Sequence, residues 1–295
     1  MSNHTVYIIV GPTAVGKTSF AISLAQHLKT EIISADARQC YAELSIGVAR
    51  PSLEELSKVP HYFIASHSVN DTVNAQVFEN YALAKADELF KTHHSVVMLG
   101  GTGLYIKAFC EVLDLIPAID PAIRENIIKQ YEKLGLRWLQ KEVSVKDPMY
   151  WAKGEQQNPQ RLMRALEVVL GTGASIISFQ NKNNVTRPFN IVKVGLELPR
   201  AQLYEKINQR VLTMVENGLE QEVRNLTPHF HLNALQTVGY SEWMPYFEGS
   251  LSKEKVIENI QQNTRHYAKR QMTWFKKDLD ITWYSPNEIN AAQII

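Results

Sequence analysis

Gly11-Pro12-Thr13-Ala14-Val15-Gly16-Lys17-Thr18 is the stretch on which the fold turns. It follows the apolar, β-branched run Thr5–Val10, which predicts a strand. It precedes Ser19–Leu28, where Phe20, Leu24 and Leu28 recur at helical spacing beside Ala21 and Ala25. Strand, glycine loop and helix form the context that a G-x-x-x-x-G-K-[ST] phosphate-binding loop requires. Gly11 and Gly16 allow backbone N–H groups to turn inward around an anion. The helix N-terminus adds partial positive charge, Lys17 adds a full one, and the Thr18 hydroxyl can ligate magnesium. These eight residues predict phosphate or diphosphate binding and leave open whose phosphate it is.

The chain has 295 residues, which suggests about two domains. With 45% hydrophobic and 21% charged residues, the composition supports a sizeable core and excludes a disordered chain. A formal net charge of +1 neither demands nor excludes a nucleic-acid partner, because the clustering of Lys and Arg decides that. Cys40 and Cys110 form no C-x-x-C pair and no disulfide framework, and Cys40 reads as a small buried residue. There is no secretory signal pattern, and no apolar run approaches the roughly 18–20 residues of a membrane span. The expectation is a soluble, cytoplasmic protein with no membrane partner.

Glu31–Asp36 predicts a second strand ending on an acid. In doubly wound sheets ligands sit at the carboxyl ends of strands, which brings Asp36 toward the loop at 11–18. A turn or capping aspartate is the plainer alternative. Its neighbours Arg38, Gln39 and Tyr41 are also ligand-type side chains. Residues 74–91 read as a helix, and Ser95–Leu99 as a buried strand running into Gly100-Gly101-Thr102-Gly103-Leu104-Tyr105. That strand ends in glycines where a hydrolytic ATPase would place a magnesium-binding aspartate, and no guanine-reading Asn-Lys-x-Asp is present.

From about Leu113 to Asn190 the pattern turns helical. Asp120-Pro121, Asp147-Pro148 and Asn158-Pro159 are three helix starts, and Gly135 can end the first. Arg161 and Arg164 project from one face of the third, either as a solvated pair or as a phosphate or RNA contact. Residues 190–198 return to strand, followed by a long helix with a break at Gly218. On that helix Arg210 borders the apolar stripe, placed to snorkel outward or to reach the phosphate site. A C-terminal helix carries Arg265, Lys269, Arg270, Lys276 and Lys277 interleaved with aromatics, either a solvated face or a positive surface for nucleic acid. The fold class expected is α/β. A P-loop NTPase-like parallel sheet core (residues 1–112 and 191–295) would have helices on both faces, with an inserted all-helical domain at 113–190.

These motifs together resemble the tRNA dimethylallyltransferase (isopentenyltransferase) family over nearly the whole chain. The resemblance rests on 11–18, Ile33–Asp36, Ile46–Pro51, Gly100–Tyr105, Gln160–Val168, Val238-Gly239-Tyr240 and Thr264–Trp274. It implies transfer of a dimethylallyl group from dimethylallyl diphosphate to the exocyclic amine of adenosine 37, beside the anticodon, in tRNAs reading codons that begin with U. It implies that Gly11, Pro12, Thr13, Ala14, Val15, Gly16, Lys17 and Thr18 hold the diphosphate, or a nucleotide, together with Arg210. Thr18 would hold Mg2+, and Asp36 would act as general base. The tRNA anticodon stem-loop would meet Asp36, Ala37, Arg38, Gln39, Thr102, Arg124, Gln160, Arg161, Leu162, Met163 and Arg164. A monomer without an obligate protein partner completes the expectation.

Ala37, Cys40, Arg50, Asn158 and Gln236 depart from the family pattern, with Ala37 where a serine is usual and Arg50 where a lysine is. These departures bear on tRNA grip and substrate range and leave Lys17, Thr18, Asp36 and Arg210 intact. The rival readings are a P-loop small-molecule kinase with ATP in the loop, and a non-catalytic RNA-binding protein keeping a nucleotide switch.

Overall fold

The computed structural model describes residues 4–111, 114, 116–180 and 186–294. The elements run β1 (Thr5–Val10), α1 (Lys17–Leu28), β2 (Ile32–Ser34), α2 (Leu53–Lys58), β3 (His61–Tyr62), α3 (Ala75–Leu89), β4 (Ser95–Leu99) and α4 (Gly103–Cys110). Three helices follow: α5 (Pro121–Lys146), α6 (Pro148–Lys153) and α7 (Pro159–Thr172). The chain then continues through β5 (Asn190–Leu196), α8 (Arg200–Glu216), α9 (Leu219–Asn225), α10 (Met244–Phe247), α11 (Lys253–Phe275) and β6 (Ile281–Tyr284). It divides into two compact units, Met1–Glu111 with Thr186–Ile295, and Val112–Val185.

The first unit is built on one parallel six-stranded sheet of order β3-β2-β4-β1-β5-β6. β1 lies between β4 and β5, with Ile9 opposite both Leu99 and Val194. Val6, Ile8, Ile9 and Val10 are wholly buried, at about 1.5–3 kcal/mol for each large side chain, so the strand is apolar on both faces. The loop after β1 therefore opens at the carboxyl edge of the sheet centre, where open α/β sheets bind ligands. Gly11 holds φ +142°, and a Cβ there would run into the Leu196 carbonyl of β5. Only glycine lets the chain leave the sheet at that point.

The second unit has its own core of Ile127, Leu139, Val143, Tyr150, Leu162, Met163, Ala165 and Leu166. Its three helices begin as their Asx-Pro pairs predict. Asp120, Asp147 and Asn158 accept the N–H groups of Ala122, Tyr150 and Arg161. Asp147 is buried and also accepts the Ser175 hydroxyl at 3.0 Å.

Several expectations need correction. β2 ends at Ser34 rather than Asp36, because the Asp36 carboxylate accepts the N–H groups of Arg38 (2.9 Å) and Gln39 (3.2 Å) and turns the chain. Gly135 (φ 73°, ψ −172°) breaks the helix as expected, but helical structure resumes beyond it as far as Lys146. Residues 186–190, placed with the insertion in the sequence reading, belong to the first unit, and the expected start of the insertion at 113 lies outside the described residues. α2, the short β3 and the 3₁₀ turns between Thr227 and Trp243 were not foreseen, since each is too short to show a period. Among the described residues no helix is long and apolar enough to cross a membrane.

Candidate active site

The carboxyl edge of the sheet encloses a cavity of about 340 Å3. Thr13, Ala14, Gly16, Lys17 and Thr18 line it from the first loop, and Asp36, Arg38 and Gln39 from the turn after β2. Gly100 and Gly101 come from the end of β4, Arg210 from α8, and Tyr267 and Gln271 from α11. Residues far apart in sequence thus converge as the strand order dictates.

One end of the cavity is cationic. Lys17 Nζ donates to the carbonyls of Gly11 (3.0 Å) and Pro12 (2.8 Å), and Arg210 Nη1 reaches Thr13 Oγ1 at 3.4 Å. Neither cation forms an ion pair among the described residues. Burial, then the nearby Arg210 charge, bring the Lys17 ammonium down to about 7, while Asp36 opposes that shift. Burial likewise lowers Arg210 from its ordinary range. The first N–H groups of α1 have no acceptors within the helix, and Gly16 caps it without a side chain. Two under-compensated cations beside free N–H donors make a site built for an anion.

Asp36 combines both readings of its position. One carboxylate oxygen, Oδ1, caps the turn, and the residue also lines the cavity. Thr102 Oγ1 accepts the Ala37 N–H at 3.0 Å and ties this turn to the end of β4. Gln39 donates to the carbonyls of Val48 (3.1 Å) and Ala49 (3.0 Å), so its amide supports the neighbouring loop.

In the second unit, Arg124 and Arg164 share Glu167, at 3.4 Å and 2.9 Å, and Arg124 also donates to Gln160 at 2.9 Å. Burial lowers Arg124 from its usual range. Arg161 is exposed and forms no ion pair among the described residues. Leu162 and Met163 are 0% and 3% exposed and lie in the core. The basic row is partly engaged: Arg265 on α11 donates to Asn208 (2.6 Å), and Lys276, just past the end of α11, pairs with Glu197 (2.8 Å).

A family model described as IPP transferase matches residues 39–278. The chain belongs to the IPP transferase family. A tRNA dimethylallyltransferase of Christiangramia forsetii is 46% identical over 288 residues, covering 98% of this chain and 95% of its own. Another relative, tRNA dimethylallyltransferase 1 of Phocaeicola vulgatus, is 42% identical over 284 residues, with 96% and 95% covered. Among solved structures, the tRNA isopentenylpyrophosphate transferase of Bacillus halodurans superposes with a TM-score of 0.70 at 33% identity, covering 96% and 90% of the two chains. A eukaryotic dimethylallyltransferase acting on tRNA gives 0.77 at 22% identity, covering 98% and 77%, and at that identity it speaks to the fold alone.

Within this IPP transferase fold, Gln271 is a site residue that the reading of residues one by one passed over. It is buried, accepts the Thr13 N–H at 2.8 Å and donates to the Gly101 carbonyl at 3.0 Å. A lone glutamine in a basic helix carries no periodic signal, and only its place in the Ala268–Trp274 motif pointed to it.

Proposed function

We propose that this protein transfers a dimethylallyl group from dimethylallyl diphosphate to the exocyclic amine of adenosine 37 in tRNAs that read codons beginning with U, releasing diphosphate. The observation that carries the reading is the cavity itself, which the Asp36 carboxylate lines together with two half-buried cations, Lys17 and Arg210. Family membership supports the reading. The relatives named above are prenyl-transfer enzymes by name, which speaks against the small-molecule kinase alternative.

The chemistry follows from the residue types. The amine nitrogen forms a bond to the allylic carbon as the bond from that carbon to the diphosphate oxygen breaks. An adenine amine is a weak nucleophile until its proton can leave, and the Asp36 carboxylate accepts it. Lys17, Arg210 and the first N–H groups of α1 neutralise the charge gathering on the departing diphosphate. The target base has to leave its stack to reach this cavity.

Magnesium fits these residues in part. A hard cation that keeps phosphate and water ligands needs few from the protein, and Thr18 and Asp36, both lining the cavity, offer oxygen ligands. No cluster of three His, Cys, Asp or Glu is found among the described residues. When bound, the ion would supply charge neutralisation to the diphosphate, with Thr18 as its protein ligand.

In this reading the exposed Arg161, with Arg164, Arg124, Gln160 and Thr102, serves the anticodon stem-loop. The enzyme works as a cytoplasmic monomer, in keeping with free thiols at Cys40 and Cys110. The test is incubation of the protein with dimethylallyl diphosphate, magnesium and unmodified tRNA, followed by nucleoside mass analysis. Mass gain of one dimethylallyl group on the adenosine is expected, and phosphorylation of a small acceptor by ATP would overturn the reading.

A further inference from the structure

Two motifs of the family pattern, Ile46–Pro51 and Val238-Gly239-Tyr240, have no part in the chemistry above, yet both line the cavity. Gly47 to Pro51 and Thr237 to Gly239 form part of its wall, adding Val48, Pro51 and Val238 to the apolar side chains Val211, Met214 and Ile260. A diphosphate held at Lys17 and Arg210 leaves these apolar side chains to its hydrocarbon tail.

One carboxylate joins the two walls. Glu222 of α9 accepts the N–H groups of Ser45 (3.2 Å) and Ile46 (2.8 Å) on Oε2. On Oε1 it accepts the Gly47 N–H (3.0 Å) and the Tyr240 hydroxyl (2.6 Å). Four donors fill the four acceptor positions of a carboxylate. Tyr240 is wholly buried, and its ring occupies the space a side chain at Gly47 would need. At Gly239, where φ is +95°, a Cβ would come to 3.2 Å from the Gly47 carbonyl oxygen. Arg50 holds the same loop from within, donating to the carbonyls of Tyr41, Ala42 and Leu44. Glu242 fixes the second wall by accepting the Gly239 N–H at 2.9 Å.

We propose that Glu222 is a positioning residue: by strapping the 45–51 loop to the Thr237–Tyr240 segment it stops the apolar wall from retreating and so limits the length of the allylic tail accepted. This rests on the functional reading given above. A wall of loop peptides would ordinarily give way to a longer tail. Here it cannot move without leaving a charged group and several N–H donors unpaired in a half-buried place.

The test uses the full chain, unmodified tRNA, and two donors, dimethylallyl diphosphate and the longer geranyl diphosphate. Glu222→Gln keeps the shape but sets an amide NH2 against donors, and Tyr240→Phe removes one strap alone. In Glu222→Gln the KM for dimethylallyl diphosphate is expected to rise about tenfold while kcat and the KM for tRNA stay within about twofold. The preference for dimethylallyl over geranyl diphosphate, as a ratio of kcat/KM, should fall about tenfold, with a smaller fall in Tyr240→Phe. Equal preference in wild type and folded variants overturns the inference alone. If Glu222→Gln does not fold, the ratio in Tyr240→Phe decides. Absence of transfer by the wild type with either donor overturns the functional reading, and the inference with it.

Discussion

The side-chain carbonyl of Gln271 accepts the backbone N–H of Thr13 at 2.8 Å, across 258 residues of sequence. Through its NH2 the same amide holds the Gly101 carbonyl, so α11 braces the loops after β1 and β4 against each other. Gln271→Glu loses the donor and adds a further anion to a cavity already lined by Asp36 and Glu55. Inorganic diphosphate is expected to bind about tenfold more weakly or worse, with a stability loss of about 1–3 kcal/mol for the unpaired carbonyl. Titration calorimetry and denaturant unfolding measure the two effects, and unaltered affinity would contradict the brace.

Asp36 caps a turn and faces the cavity, and the two roles separate by substitution. Asp36→Asn retains the Oδ1 acceptor for Arg38 and Gln39, so its urea midpoint should match the wild type. Turnover should fall by about 10²-fold or more, because the amide cannot take the proton. Asp36→Ala should lose the turn as well, lowering the midpoint. Unchanged turnover in Asp36→Asn would remove it as the base.

Lys17 titrates from about 7 in the folded chain against an ordinary 10.5. Between these values the unfolded chain binds more protons, so this residue makes stability rise with pH across that window, and its burial penalty is fully present below about 7. A diphosphate restores the ammonium, so binding at pH 8–9 should take up close to one proton, and below pH 6 almost none. Calorimetry in buffers of differing ionisation enthalpy reads this uptake, and it should vanish in Lys17→Met.

Arg161 is exposed on α7, whereas Arg164 leans on Glu167. Arg161→Ala should weaken tRNA binding and reduce the slope of log K against log salt by about 1. Arg164→Ala should do less, since part of its charge is already engaged. Slopes equal to the wild type in both variants would place the RNA elsewhere.

Arg187 and Glu79 form a buried pair at 2.8 Å, and the same guanidinium donates to the carbonyls of Ala108, Phe109 and Glu111 at the end of α4. Arg187→Ala strands the Glu79 charge, and a cost of about 3–5 kcal/mol is expected. Glu79→Gln, which keeps an acceptor, should cost less. Denaturant unfolding compares them.

Much of the α/β frame was legible in order. β1, the Asx-Pro starts of α5, α6 and α7, and the break at Gly218 all lie where apolar period, capping residue or glycine put them. These signals are local, because strand alternation, N-caps and left-handed turns act over a few residues. The fate of single charges was not legible. Arg265 read as a solvated or a nucleic-acid-facing group, while Arg50 and Arg124 were marked only through the resemblance, and the structure gives each a protein partner that lies on another turn or helix.

The 11–18 loop was legible as a strand-to-helix turn suited to an anion: glycines that free the backbone, a lysine, and a helix start are all set within eight positions. Sequence by itself also determined a parallel sheet and a helical insertion, because periodicity and caps are properties of short segments. Only the tertiary structure decided that Asp36, Arg210 and Gln271 share one cavity with that loop, and that Glu222 ties two of its walls. Strand order brings those residues together, and strand order is set by burying the whole sheet at once, a cooperative quantity that no local stretch contains.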